Sequence, residues 1–233
     1  MNKNKTLILF KASCINNMLK ITKKYCDKHK DKIDYYFLIA DEDINDSYIF
    51  ANNIIYFKIK EDNWSSLLIK VIKAFDIFKN KNYKHIIVSN VNTFLNIPLL
   101  LNTLDKDINC LSSIGYNYKF KNIVYNWPSG AFYVFNIKIV NKICDFFNEG
   151  KYIISNKLTT NFIQYFPTTD DIFFGYFFHL NNIKIKNLQR LDILNDNYII
   201  TKHDKKFIQI RVKTGKYDVD LNYYNKLYKQ IYN

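Results

Sequence analysis

Asp170 and Asp171 stand side by side at the head of an apolar stretch, Ile172-Phe173-Phe174-Gly175. Adjacent carboxylates repel one another when both are ionised, which raises the pKa of one and suits it to accept a proton near neutral pH. The same pair suits the start of a helix, where Thr169 or Asp170 caps free N–H groups and negative charge favours the dipole. Capping by Asp170 and catalysis by Asp171 are compatible. A second constellation is Trp127-Pro128-Ser129-Gly130-Ala131. Its small residues let a backbone approach a ligand closely, and Trp127 either stacks on a ligand ring or anchors the loop to the core. Polar residues also fall where strands should end, at Lys11, Asp41 and Ser89-Asn90. Ser89-Asn90 can equally be a plain strand-to-loop turn. His203 is either a ligand-contacting or a surface residue, and His179, among Phe177, Phe178 and Leu180, reads as a core or helix-face residue. No Ser-His-Asp or Cys-His order stands out. The five glycines are isolated, which argues against a dinucleotide or ATP phosphate loop.

The elements that position these residues follow from hydrophobic spacing. Short apolar runs predict strands at Thr6 to Phe10, Asp34 to Ala40, Asn53 to Ile59 and His85 to Ser89. Helical spacing marks Asn16 to Lys28 and Ser66 to Asn80. This β-α-β-β-α-β succession implies a largely parallel sheet with helices on both faces and ligands at the carboxyl ends of the strands. Further on, Cys110 to Gly115, Gly130 to Phe135 and Phe207 to Val212 read as strands. Lys138 to Asn148, Asp170 to Leu180 and Asp220 to Ile231 read as helices, and Lys151 to Pro167 as a surface loop. With no repeat, linker or boundary, residues 1–233 are expected to form one α/β domain.

The chain carries a net charge of +13, which invites a nucleic-acid reading. Arg190 and Arg211 are its only arginines, however, although arginine is the preferred residue for bidentate base and phosphate contacts. The lysines are spread along the chain among Asn, Ile, Tyr and Phe, as a biased base composition would produce, so no specific nucleic-acid partner is expected. A basic surface still attracts an anionic substrate. Cys14, Cys26, Cys110 and Cys144 lack metal-finger spacing and read as reduced, mostly buried thiols. No apolar run is long enough to span a bilayer, no signal segment is visible, and a cytoplasmic protein is expected.

Four segments, in order, resemble glycosyltransferase family 31, which contains β-1,3-galactosyl-, β-1,3-N-acetylglucosaminyl- and Fringe-type transferases. Glu61-Asp62-Asn63-Trp64-Ser65-Ser66-Leu67-Leu68-Ile69-Lys70 is similar to "D-x-Y-x-N-L-T-x-K". Ile86 to Asn96 is similar to a strand ending in "D-D-D-T-F-x-N". Trp127 to Val134 is similar to "Y-P-x-x-S-G-G-G-Y-V", and Asp170 to Gly175 to "[ED]-D-V-x-x-G". The resemblance implies a GT-A fold and an inverting transfer from a nucleotide-sugar donor, UDP-linked, to a saccharide hydroxyl, with a β-1,3 linkage. Asp171 is then the general base, supported by Asp170. Lys11, Asp41, Lys70, Asn90, Asn92, Ser129, Gly130 and Ala131 would face the donor, and Trp127 the acceptor.

In the family the acidic triplet after the strand holds a divalent metal on the pyrophosphate. Here it reads Asn90-Val91-Asn92, and amides hold Mn²⁺ or Mg²⁺ much less firmly than carboxylates. Three outcomes remain open. Asn90, Asn92 and His203 bind a metal weakly; or cations such as Lys11, Lys70, Lys202 and Arg211 replace it; or the chain is a non-catalytic nucleotide or glycan binder.

Overall fold

A computed structural model describes residues 5–62, 65–104, 108–120, 123–156 and 169–233. In chain order it opens with β1 (Thr6–Lys11), α1 (Asn17–Asp27), β2 (Ile33–Ala40), β3 (Tyr48–Ala51), β4 (Ile54–Phe57) and α2 (Ser65–Phe78). Next come β5 (His85–Asn90), β6 (Thr93–Leu95), α3 (Ile97–Thr103), β7 (Cys110–Ser112), β8 (Ile114–Phe120), β9 (Ile123–Pro128) and β10 (Phe132–Asn136). The chain ends with α4 (Ile137–Asn156), α5 (Asp170–Leu180), β11 (Lys186–Asn187), β12 (Arg190–Ile193), a 3-10 turn (Lys202–Lys206), β13 (Gln209–Val212) and α6 (Tyr217–Tyr232).

Eight strands form the central sheet in the order β11-β7-β10-β5-β1-β2-β4-β3. The pairs β5-β1, β1-β2 and β2-β4 are parallel, while β10 runs antiparallel to both β5 and β7. Alternation along β1 explains why both faces are covered. Ile8 and Phe10 point into one apolar layer with Met18 and Tyr25 of α1, Leu100 of α3 and Tyr224 of α6. Leu7 and Leu9 point into the other, with Phe75 of α2, Ile143 of α4 and Phe173 of α5. A strand buried on both faces reads as a continuous apolar run, as Thr6 to Phe10 does. The mixed α/β architecture, with a mostly parallel sheet flanked by helices, is the one expected.

The differences lie at edges and in the second half. β3 is an edge strand whose Tyr48, Ile49 and Phe50 are exposed, so it lacks the alternation that marks a half-buried strand. The expected strand from Cys110 to Gly115 is two strands, divided where Ser112 donates through its hydroxyl to the carbonyls of Ser113 and Phe132. Helix α4 continues to Asn156, into the stretch read as a surface loop. The rest of that stretch, 157–167, lies outside the described residues, as do Asn63 and Trp64 of the first motif. All four cysteines are free; Cys26, Cys110 and Cys144 are buried and Cys14 is exposed. No helix among the described residues is long and apolar enough to cross a membrane.

Candidate active site

From β1 the chain passes through α1 to β2 on one side, then returns through α2 to β5 on the other. Because α1 and α2 cover opposite faces, the carboxyl ends of β1 and β5 are where an open α/β sheet leaves a crevice. Lys11 and Asn90 are paired there, at the ends of the two strands. β10 runs the other way, so its first residues reach the same end. The Asn90 N–H donates to the Ala131 carbonyl at 3.0 Å, and Phe132 pairs with Ser89. Ser129-Gly130-Ala131 therefore lie beside Asn90.

Helix α5 brings in the acids. Thr169 takes the cap position but makes no side-chain cap bond, and Asp170 and Asp171 occupy the first turn. Phe173, Phe174, Phe177 and Phe178 bury the helix against the sheet. Its lateral position is set by glycine contacts. A Cβ on Gly175 would lie 2.8 Å from Cα of Trp127, and one on Gly115 would lie 2.7 Å from Cε2 of the same indole. Trp127, on β9, is thus pinned between β8 and α5, the packing role left open in the sequence. Backbone cannot give way as a flexible side chain can, so Gly175→Ala is expected to cost about 1–3 kcal/mol. Urea unfolding reads this directly, and an unchanged midpoint would contradict the close contact.

The two aspartates have different surroundings. Asp170 is buried and ion-paired with the equally buried Lys11 ammonium, which also donates to the Gly130 carbonyl at 2.7 Å. The ammonium lies 5.2 Å from the centre of the Tyr133 ring. Burial, then the charges of Asp170 and Asp171, push the Tyr133 hydroxyl well above its usual pKa, which keeps it neutral. Asp171 is half-buried and outside that ion pair. Burial first, and the Asp170 charge second, raise its pKa above its ordinary value, against opposing effects that include Lys11 and the Ile172 N–H. A Cβ on Gly130 would meet Asp171 Oδ2 at 3.2 Å and the Tyr133 hydroxyl at 3.3 Å, so the glycine keeps the space beside the carboxylate open.

No family model matches the chain, and no curated protein matches it. Among solved structures, it is similar to a glycosyltransferase involved in the glycosylation of the major capsid of PBCV-1. That likeness has a TM-score of 0.52 at 9% identity and covers 95% of this chain and 99% of the other. The chain has a GT-A-like glycosyltransferase fold. A Drosophila β-1,4-galactosyltransferase 7 variant, in complex with manganese, UDP-Gal and xylobiose, aligns at a TM-score of 0.35 and 10% identity. It covers 60% of this chain and 52% of that one, too loosely to carry an argument.

Within the GT-A-like fold, Lys11, Asn90, Gly130, Ala131, Asp170 and Asp171 come together, with Ser129 adjoining. Other residues singled out in the sequence sit elsewhere or are engaged. Asp41, at the end of β2, accepts from the Asp43 N–H at 3.1 Å and so turns back on its own loop. Lys70 is fully buried, donating to Glu61 at 2.6 Å and to the Ala12 carbonyl at 2.9 Å. His203 is exposed on the 3-10 turn, and His179 is exposed at the end of α5, near Tyr125. The Asn92 side-chain oxygen is buried without a hydrogen-bond partner.

These residues do not fit a divalent cation. No group of three His, Cys, Asp or Glu side chains that could hold one occurs among the described residues. The carboxylate nearest the loop that is not ion-paired is Asp171, and a lone neutral Asn92 oxygen supplies no charge to hold Mn²⁺ or Mg²⁺.

Sequence reasoning missed Arg190 and Asp192. Asp192 Oδ1 lies 2.7 Å from Arg190 Nε and 3.0 Å from Arg211 Nε. Its Oδ2 accepts from Nη2 of both, at 2.9 and 3.2 Å. Arg190 also donates through Nη1 to the hydroxyls of Ser129 and Ser113. The available signal was composition, because two arginines among 34 basic residues mark positions where a planar fork is required.

Proposed function

We propose that the chain is an inverting glycosyltransferase, one domain across its 233 residues, that moves a sugar from a nucleotide donor to a saccharide hydroxyl. The observation carrying this reading is Asp171. It is a half-exposed carboxylate with a raised pKa, beside an open glycine, at the crevice of a GT-A-like sheet. In the reaction the acceptor oxygen bonds to the anomeric carbon as its proton passes to Asp171. The bond from that carbon to the donor phosphate oxygen breaks, and its electron pair leaves with the nucleoside diphosphate. Asp170, locked to Lys11, fixes the helix end, and Ser129, Gly130, Ala131 and Asn90 face the donor. A UDP donor and a β-1,3 linkage come from the family 31 resemblance. The basic surface draws in the anionic donor.

The test is incubation with a panel of UDP-sugars and saccharide acceptors, with diphosphate release followed in time and the product anomer assigned by NMR. An inverted product supports the reading, and a retained anomer overturns the proposed single displacement. The pH profile adds a second check. A base must be ionised, so the rate should fall as pH drops through the Asp171 pKa, with the acid limb displaced upward from that of an ordinary aspartate. A limb without that displacement would count against Asp171.

A second reading, a binder without turnover, is favoured by the amides at Asn90 and Asn92. It requires UDP binding by calorimetry with no donor consumption across the acceptor panel.

A further inference from the structure

We propose that Arg190 and Arg211, aligned by Asp192, form a cradle for the donor diphosphate in place of a divalent cation, an inference that rests on the sugar-transfer reading. Position comes first. Arg190 is tied to Ser129, next to the glycine that faces Asp171. Arg211 pairs with Thr93, and the following Val212 N–H donates to the Asn92 carbonyl at 3.0 Å. Through Asp192 the two arginines link the strand that pairs beside the Asn90-Val91-Asn92 turn with the Ser129-Gly130 loop.

Charge comes second. Two guanidinium groups share one carboxylate, which leaves one net positive charge in the cluster. Their side chains are 16% and 26% exposed, so water and a ligand reach them. Arg211 Nη1 makes no hydrogen bond with the described residues, and it carries two N–H groups suited to phosphate oxygens. Of the other cations the sequence offered, Lys11 is committed to Asp170 and Lys70 to Glu61, while Lys202 is exposed on the 3-10 turn and lacks the planar fork. Asp192 accepts from Nε and Nη2 of Arg211 and from Nη2 of Arg190, and such preorganisation lets them stabilise charge as it develops on the leaving group without first reorganising.

The experiment is calorimetric titration of the full chain with inorganic pyrophosphate, UDP and uridine in the presence of a chelator. Pyrophosphate and UDP should bind without metal. Arg211→Gln should weaken both at least about tenfold and leave uridine binding unchanged, because it removes a charge-assisted contact to phosphate. Arg211→Lys should restore part of the loss, since a point charge lacks the fork. Thermal melts of both variants establish that they fold. The proposal is overturned if Arg211→Gln binds pyrophosphate as tightly as the unaltered chain. It is also overturned if the unaltered chain binds neither anion in chelator, or does so only after Mn²⁺ is added. Arginine-dependent pyrophosphate binding with no turnover of any nucleotide sugar would uphold the cradle and sink the sugar-transfer reading instead.

Discussion

Replacing Asp171 with asparagine is expected to slow sugar transfer by about 10²–10⁴-fold, the usual contribution of a positioned general base. The amide keeps the shape of the side chain but cannot take the acceptor proton. Asp170 cannot stand in, because its carboxylate is buried and paired with Lys11. Diphosphate release at saturating substrates reads the loss, and UDP affinity should be unchanged because the donor loop is untouched. Full activity in the variant would remove Asp171 from the mechanism. Stability should move the other way. Burial raises the folded-state pKa of Asp171, so the contribution of its protonated form is complete below the ordinary carboxylate pKa and is lost as pH rises through the folded value. Asp171→Asn should therefore unfold at higher urea than the unaltered chain at neutral pH, with the gap closing in acid.

The largest loss of stability is expected from the Lys11–Asp170 pair. Both side chains are buried, and removing either partner strands a charge away from water. Lys11→Met or Asp170→Leu should each destabilise the fold by about 3–5 kcal/mol, a large part of the 5–15 kcal/mol typical of a domain. The double replacement Lys11→Met with Asp170→Leu should recover much of that, because no unpaired charge remains. Urea midpoints for the singles and the double form a cycle that isolates the coupling. Single variants with unchanged midpoints would mean that water reaches the pair.

The parts of the fold that were legible share one property: their signal is local. β1 and β5 are continuous apolar runs, and α5 is an acid pair followed by aromatics, so each declares itself within about ten residues. Asp170 and Asp171 were visible in the sequence only as adjacent carboxylates. What separates them physically is an ammonium 159 positions away in the chain, which no local pattern encodes. Lys70 shows the same limit. Its place in the resemblance is read from the sequence alone, while its burial against Glu61 and Ala12 is set by packing. The β8–β9 hairpin escaped notice because its decisive contacts are Gly115 and Gly175 against one indole, a match of shapes between separate elements. Arg190 was passed over because a lone arginine in a loop-rich stretch has no periodicity to mark it.

The antiparallel course of β10 has a consequence for how the crevice behaves in time. Ser129 donates to the Ser113 carbonyl at 2.7 Å, the Phe132 N–H returns to the Ser129 carbonyl at 3.3 Å, and Asn90 holds Ala131. The glycine segment is therefore stitched at both ends into sheet hydrogen bonds, where ligand loops are usually drawn from the least stable parts of a fold. The amide hydrogens of Ser129 and Phe132, which donate in these bonds, should exchange slowly with deuterated solvent, at rates close to those of β5. The exposed turn carrying His203 should exchange quickly.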